Sequence, residues 1–267
     1  MKSQVNKSLK EHFALVTGAS SGIGLAFAKD LAKRGYNLLI VSNEEAINDR
    51  ARELQTAYPN LEIIGLVQDL GHESSAQELY DYVKKQGLEI EVLVNNAGVY
   101  HDKDILDDSQ GFTSLILTLH MYTPAMLCYL FGKDMREREK GYILNVCSVT
   151  SKMAAQRLGT YGSTKAFLNN FTRALHIELR KYHVNVTNVS PGAVDTGLYD
   201  IKPWMTKLGK CLGIIVSPET LARRGLNAMF RGTYKVTVPA IFWHCLTFII
   251  QLIPVGLLRL IRRIRLF

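Results

Sequence analysis

After twelve mostly polar residues carrying Lys2, Lys7 and Lys10, the chain settles into a beat of short apolar runs and longer amphipathic stretches. Phe13-Ala14-Leu15-Val16 is the first run, and a Gly-rich turn follows it. Leu25 to Leu31 has helical spacing. Asn37 to Val41 is the next run, followed by a charged helical stretch through Leu54. Ile63–Val67, Ile90–Val94, Tyr142–Cys147, Val184–Val189 and Tyr234–Val238 repeat the pattern, each separated from the next by room for a helix. Continuous apolar strands alternating with helices predict a parallel sheet covered on both faces. The expected fold is α/β: a single doubly wound domain over residues 13–240, with about seven parallel strands. Residues 1–12 read as a solvated tail without a signal-peptide-type apolar run. Ligands of such sheets sit at the carboxyl ends of the strands, where strand order reverses.

Composition narrows the class. Of 267 residues, 47% are hydrophobic and 21% charged, which excludes disorder and suits one domain with a full core. Cys128, Cys147, Cys211 and Cys245 are scattered, with no CxxC and no histidine at ligand spacing. That pattern excludes a disulfide scaffold, gives no support to a metal site, and reads as reduced thiols in a cytosolic setting. The net charge is +8 and unevenly placed: from Lys202 onward 11 Lys/Arg face one acid, Glu219, leaving residues 1–201 at −2. A basic patch of this kind has nucleic acid or an anionic membrane as candidate partners.

Directly after the first run stands Thr17-Gly18-Ala19-Ser20-Ser21-Gly22-Ile23-Gly24. Glycines let backbone approach a pyrophosphate, and the helix that follows offers N–H donors and a partial positive charge. Ser20 and Ser21 add hydroxyl donors. The alternative, a plain capped turn, is weakened by the position between first strand and first helix. Together with Asn95-Asn96-Ala97-Gly98 after the fourth strand, Asp69 after the third, and Pro191-Gly192 with Val194 and Thr196 after the sixth, the spacing TGxxxGxG resembles the short-chain dehydrogenase/reductase family over roughly residues 12–240. The resemblance implies a Rossmann-type domain that binds a nicotinamide dinucleotide. Gly18, Ser20, Ser21, Gly22, Ile23 and Gly24 would hold its phosphates, Asp69 its adenine side, and Asn95, Ala97, Gly98, Pro191, Gly192, Val194 and Thr196 the rest.

Tyr161 and Lys165 form a YxxxK pair, and positions i and i+4 share a helix face. A neighbouring ammonium lowers a phenol's pKa from about 10, fitting it to act as a general acid. Tyr80/Lys84 and Tyr129/Lys133 match the same pattern, but thirteen residues before them stand Val67 and Ile116, whereas Ser148 stands thirteen before Tyr161. In the family that spacing belongs to the serine that holds the substrate carbonyl. The family's catalytic asparagine is replaced here by His120. Pro124, four residues later, has no N–H for the His120 carbonyl. Two readings stand: Pro124 keeps that carbonyl open for a proton-relay water, or it simply kinks the helix while His120 packs as a polar core residue.

Ser42 and Asn43 end the second strand, where an NAD enzyme usually carries an acid. No carboxylate there repels a 2′-phosphate, so NADP(H) and a reductive direction are expected, although no arginine stands there to grip the phosphate and Glu44 and Glu45 count against NADP(H); NAD is the alternative. The expected substrate loop, 191–217, carries Leu198, Tyr199, Ile201, Trp204, Met205, Leu208, Leu212, Ile214 and Ile215, an apolar lining for a greasy substrate or a packed flap or dimer contact.

Residues 236–258 run without a formal charge and include Phe242, Trp243, Phe248, Ile249 and Ile250. Pro239 and Pro254 interrupt the run. Arg259, Arg262 and Arg263 then face away from Leu260, Ile261 and Ile264. The predicted tail, 241–267, is an apolar and basic helix lying at a membrane interface; a tail folded over the active site or forming a dimer is the soluble alternative. Nucleic acid is not expected, because the aromatics lie in an apolar block rather than among the bases.

The sequence reading is thus an NADPH-dependent reductase of the short-chain family. It turns a ketone of a lipid-like substrate (3-ketosphinganine or 3-oxoacyl type) into a secondary alcohol, with Ser148, Tyr161, Lys165 and His120 as catalytic residues. It would lie in the cytoplasm against the inner or cytoplasmic face of a membrane, with a homo-oligomer left open. A hydroxysteroid or other small apolar alcohol dehydrogenase is one alternative. A non-catalytic NAD(P)-binding regulator is another, although such a binder has no need of a complete Ser/Tyr/Lys set.

Overall fold

A computed structural model describes residues 12–153, 157–196 and 214–239, together with Gly209, Trp243, Phe248, Ile249 and Ile253. Residues 1–11, the loop residues Leu198, Tyr199, Ile201, Trp204, Met205, Leu208 and Leu212, and the tail residues Phe242, Ile250 and 254–267 lie outside the described residues, as do Cys211 and Cys245.

Seven parallel strands form one sheet in the order β3-β2-β1-β4-β5-β6-β9. They are β1 (Phe13–Thr17), β2 (Asn37–Ser42), β3 (Ile63–Val67), β4 (Ile90–Asn95), β5 (Gly141–Val146), β6 (Val184–Pro191) and β9 (Lys235–Val238). Two short strands, β7 (Ala193–Val194) and β8 (Ile215–Val216), pair beside the sheet, near the two ends of residues 191–217. The period of 2 along a strand sends alternate side chains to opposite layers. In β1, Ala14 and Val16 join one core with Leu38 and Ile40 of β2, while Phe13 and Leu15 join the other with Leu39 and Val41. This two-sided burial is why the strands read as unbroken apolar runs.

The first layer is closed by α1 (Gly22–Lys33), α2 (Ala46–Ala57) and α7 (Pro218–Phe230), the second by α3 (Ser75–Gln86), α5 (Thr123–Glu137) and α6 (Gly159–Leu179). Ser217 caps α7 by accepting from the Thr220 N–H, with Pro218 in the first turn. The pattern matches sequence entries into helices that need no intrahelical N–H donor there.

α4 (Gln110–Leu117) runs into α5 through one π-turn, Thr118–Tyr122. The whole stretch, Gln110–Glu137, is long and apolar enough to cross a membrane, yet half of its apolar window is buried in the fold. It is a core helix. The π-turn places His120 on the inner face just before Pro124.

β1 neighbours β2 on one side and β4 on the other, so the strand order reverses between β1 and β4. A crevice opens at their carboxyl ends, where ligands of such sheets bind.

Candidate active site

The turn after β1 and the turn after β4 are tied together by one threonine. Thr17 Oγ1 accepts from the Asn96 and Ala97 N–H groups, both at 3.0 Å, and donates to the Val94 carbonyl at 3.4 Å. Asn96 Nδ2 returns two bonds of 3.0 Å to the Thr17 and Gly18 carbonyls. Such pairing satisfies the buried backbone of both turns. Gly18 has φ +65°, a region that favours glycine, and its missing Cβ lets Ala97 pack against it. A Cβ on Gly24 would overlap the Gly18 carbonyl oxygen.

From this turn a groove of about 470 Å³ runs across the sheet end. At one end it is lined by Gly18, Ser20, Ser21, Gly22, Ile23, Ser42, Asn43 and Asp69, and at the other by Ser148, Tyr161, Lys165, Pro191, Gly192, Val194 and Thr196. Ala97, Gly98 and His120 lie between. Residues expected from six separate strand ends therefore meet in one cleft. Two expectations need correction. The Asn95 side chain turns away from the groove and bonds Asn145 Oδ1 at 2.8 Å and Cys128 Sγ at 3.3 Å inside the core; Asn96 lines the groove in its place. Gly24 does not line the groove and serves by close packing beneath it.

The groove suits a dinucleotide phosphate group. Ser21 is the N-cap of α1, yet its hydroxyl makes no capping bond, and no acidic residue stands in the first turn. N–H groups, hydroxyls and the positive end of a helix face one point.

At the far end Lys165 and Tyr161 sit one turn apart on α6, and both are buried. Lys165 Nζ donates to the Val146 carbonyl at 3.0 Å and lies 5.7 Å from the Tyr161 ring centroid. Burial pulls the Lys165 ammonium down to about 8, with only the Cys147 thiol opposing. Cys147 and Cys128 are both fully buried, which pushes their thiols up to about 12 and leaves them inert. Among the described residues no group of three His, Cys, Asp or Glu could hold a metal.

Ser148 follows β5 by two residues and opens a 3₁₀ turn, Val149–Lys152. Its Oγ accepts from the Thr150 N–H at 3.2 Å and from Thr150 Oγ1 at 2.9 Å. With both acceptor positions used, its own proton is left to donate elsewhere. Thr150 was not singled out from the sequence; a threonine two residues after a serine carries no signal of its own.

His120 is 1% exposed, and both ring nitrogens are committed. Nε2 accepts from the Val99 N–H at 2.9 Å, which fixes the proton on Nδ1. Nδ1 meets Thr164 Oγ1 at 3.1 Å, and Thr164 donates in turn to the Tyr161 carbonyl at 2.8 Å. The ring also stands edge-on to Tyr161, 5.6 Å between centroids. Burial and the nearby Lys165 charge hold its pKa well below 6.5, so it stays neutral. The side chain is a polar clamp between the turn after β4 and α6, as the packing reading expected. Pro124 and Lys165 share with His120 a second cavity of about 10 Å³, the room of one water centre.

The tail contributes one described residue to this end. Trp243 fills the space over Gly192, where a Cβ would overlap its indole, and its Nε1 donates to the Ile214 carbonyl at 3.2 Å. Phe248 and Ile249 are exposed.

A short chain dehydrogenase family model matches residues 12–203. The very-long-chain 3-oxoacyl-CoA reductase of Anas platyrhynchos is 32% identical over 225 residues, 81% of this chain and 68% of its own. The Mus musculus protein of the same name is 32% identical over 203 residues, 73% of this chain and 64% of its own. The chain thus spans about two thirds of the length of these curated relatives. Among solved structures, a bulky-bulky ketone specific alcohol dehydrogenase from Comamonas testosteroni superposes with TM-score 0.74 at 25% identity, covering 90% of this chain and 92% of its own. A short-chain dehydrogenase from Sphingobium yanoikuyae in complex with NADPH shares the fold with TM-score 0.76 at 23% identity, covering 90% and 94%.

Replacing the clamp tests its role. His120→Leu is expected to lower unfolding free energy by about 1–3 kcal/mol by stranding the Val99 N–H and removing the Nδ1 bond to Thr164. His120→Asn should recover part of the loss in urea titration, and equal stability of wild type and both variants would refute the clamp. With the matched model spanning residues 12–203 and the Ser148, Tyr161 and Lys165 set gathered at the far end of the groove that begins at the phosphate turn, the chain belongs to the short-chain dehydrogenase family.

Proposed function

We propose that the protein reduces the ketone of a lipid-like 3-oxoacyl substrate to a secondary alcohol with NADPH. The observation that carries this reading is the meeting of Ser148, Tyr161 and Lys165 in the same groove as the phosphate turn. The names of the relatives, very-long-chain 3-oxoacyl-CoA reductases, support the substrate class.

Gly18, Ser20, Ser21, Gly22 and Ile23 would hold the phosphates of the cofactor, Asp69 its adenine side, and Pro191, Gly192, Val194 and Thr196 its nicotinamide end. When bound, the nicotinamide supplies the hydride. The protein's own residues do the rest. Ser148, with its proton directed outward by Thr150, donates to the ketone oxygen and fixes the carbonyl. The Tyr161 hydroxyl gives its proton to that oxygen. The Lys165 ammonium stabilises the negative charge left on the phenolic oxygen. The one-water cavity beside Lys165, bounded by His120 and Pro124, offers a route for returning the proton. Of the two readings of position 120, the histidine ring serves as clamp and the carbonyl that Pro124 cannot reach serves the relay.

The adenine end favours NADPH over NADH. Ser42 Oγ donates to Ser20 Oγ at 3.2 Å, a hydroxyl pair where a carboxylate would repel a 2′-phosphate. Glu44 also lines this end and offers the opposite charge preference. Solved relatives of the same fold bind NADPH or NADP. We assign the tail, 241–267, to attachment at a membrane surface facing the cytoplasm, on its apolar and arginine-rich composition.

Three outcomes are expected. The reduction rate should stay level from pH 6 to about 8 and fall above it as Lys165 loses its charge; continued increase through pH 9.5 would remove Lys165 from the mechanism. Ser42→Asp should raise KM for NADPH by about tenfold or more through charge repulsion while lowering that for NADH; an unchanged preference would move the discriminating contact elsewhere. In flotation with anionic vesicles, the full chain should rise with the lipid and a chain ending at Trp243 should stay behind. Equal partition of the two would refute attachment through the tail.

A further inference from the structure

The loop that follows Gly98 is seated on the first turn of α6, and none of the motifs that place the cofactor or the catalytic set accounts for its contacts. His120 Nε2 accepts from the Val99 N–H at 2.9 Å. One residue later the Tyr100 ring meets the Tyr161 ring, 5.4 Å between centroids and 80° between planes. Arg157, just before α6, reaches back to Asp102: its Nε pairs with Oδ1 at 3.0 Å, and a second guanidinium nitrogen donates to the Asp102 carbonyl at 2.9 Å. Ile105 lies over Gly159, the first residue of α6, where a Cβ would overlap its side chain. Arg157 itself has φ +59°. A non-glycine residue takes that conformation at a cost, and such strain collects where function needs a fixed geometry.

These contacts converge on the Tyr161 ring. Lys165 Nζ lies 5.7 Å from its centroid, and the His120 ring stands at 5.6 Å and 78° on the buried side. Tyr100, half-buried, supplies the other edge-on ring. Perpendicular aromatic pairs have a preferred geometry, so a ring gripped by two of them loses freedom to swing. Burial and the Asp102 carboxylate raise the Tyr100 phenol above its ordinary value, which keeps it protonated. Val99 and Tyr161 are among the residues lining the groove, and Tyr100 is not. Tyr100 therefore acts through Tyr161 rather than on substrate. His120 serves both neighbours, one by its ring against Tyr161 and the other by its bond to the residue before Tyr100.

We propose that Tyr100 is a positioning residue for the reduction: its ring holds the Tyr161 ring edge-on, and the Asp102–Arg157 pair holds Tyr100 in place. The inference rests on the reductase reading given above and adds to it a residue outside the Ser148, Tyr161 and Lys165 set. A proton donor must stay within hydrogen-bond reach of the oxygen it serves, and a displacement of about 1 Å can cost on the order of a hundredfold in rate.

The test uses the full-length protein with NADPH and a 3-oxoacyl thioester, and reads kcat, KM for NADPH and the solvent deuterium isotope effect on kcat. Tyr100→Ala is expected to lower kcat about tenfold, to leave KM for NADPH within about twofold, and to raise the isotope effect as transfer of the Tyr161 proton slows relative to the other steps. Tyr100→Phe keeps the ring and should restore the wild-type kcat. Asp102→Asn, at an exposed position, should lower kcat about threefold and add nothing further to Tyr100→Ala, because the ion pair works through Tyr100. The same variant keeps the test standing if Tyr100→Ala fails to fold. A wild-type kcat in Tyr100→Ala, a loss carried by KM for NADPH, an unmoved isotope effect, or a Tyr100→Phe variant as slow as Tyr100→Ala would overturn the positioning role and leave the reductase reading intact. Absence of turnover by the wild type, with NADPH binding demonstrated by fluorescence, would overturn the reductase reading and the inference together.

Discussion

A single ammonium group without a carboxylate partner in the described structure sets the terms for the active site. Lys165 is buried, and burial alone disfavours its charge. What holds it is a hydrogen bond to the Val146 carbonyl, at the last residue of β5. That bond fixes α6 against the sheet end, and Tyr161, one turn earlier on the same helix, is fixed with it. Ser148 follows Val146 by two residues, so its place is set by the same strand end. The three residues are thus not placed independently: the bond ties the α6 pair to the strand end that Ser148 follows. The neutral state of His120 belongs to the same constraint, because a second cation beside Lys165 would raise the cost of both.

The sheet was legible in the sequence because its strands are buried on both faces. Such strands read as unbroken apolar runs, and all seven appear in the expected order with ends shifted by a residue or so. The glycine turn was legible because its geometry excludes side chains: Gly18 takes a left-handed conformation, and Gly24 lies against a carbonyl. Ser148, Tyr161 and Lys165 were legible as a spaced set, since strand end and helix face fix their separation along the chain. Asn95 was misplaced for the opposite reason. Neighbouring residues at a strand end point to opposite sides, and nothing in Asn95-Asn96 says which side chain turns to the groove; the pairing with Asn145 and Cys128 decides it.

His120 and Thr150 mark what composition and spacing cannot carry. Position 120 looked like a departure from the family pattern, and the sequence allowed either an open backbone carbonyl or a packed side chain. The structure assigns the side chain by giving each nitrogen a partner, Val99 on one side and Thr164 on the other. Those partners lie 21 and 44 residues away in sequence, beyond the reach of local pattern. The π-turn has a local cause that is visible afterwards: Thr123 reaches back to the Thr118 carbonyl, and Pro124 follows with no N–H of its own. It turns the His120 ring toward the groove without interrupting the core helix.

The tail binds the two halves of the functional reading into one physical arrangement. Gly192 is an expected cofactor contact, and it is also the floor on which Trp243 rests. A side chain at 192 would displace the indole, so the requirement for glycine there has two sources, one at the nicotinamide end of the groove and one at the tail. Trp243 follows β9 by only five residues and sits beside the lip of the groove, against Ile214 at the far end of the substrate loop. β9 runs parallel to β6 and β5, so the chain leaves β9 at the end of the sheet that carries Ser148. β5 and β9 both flank β6 and end on the same side of the sheet, so Ser148 and Trp243 follow strand ends that face one way.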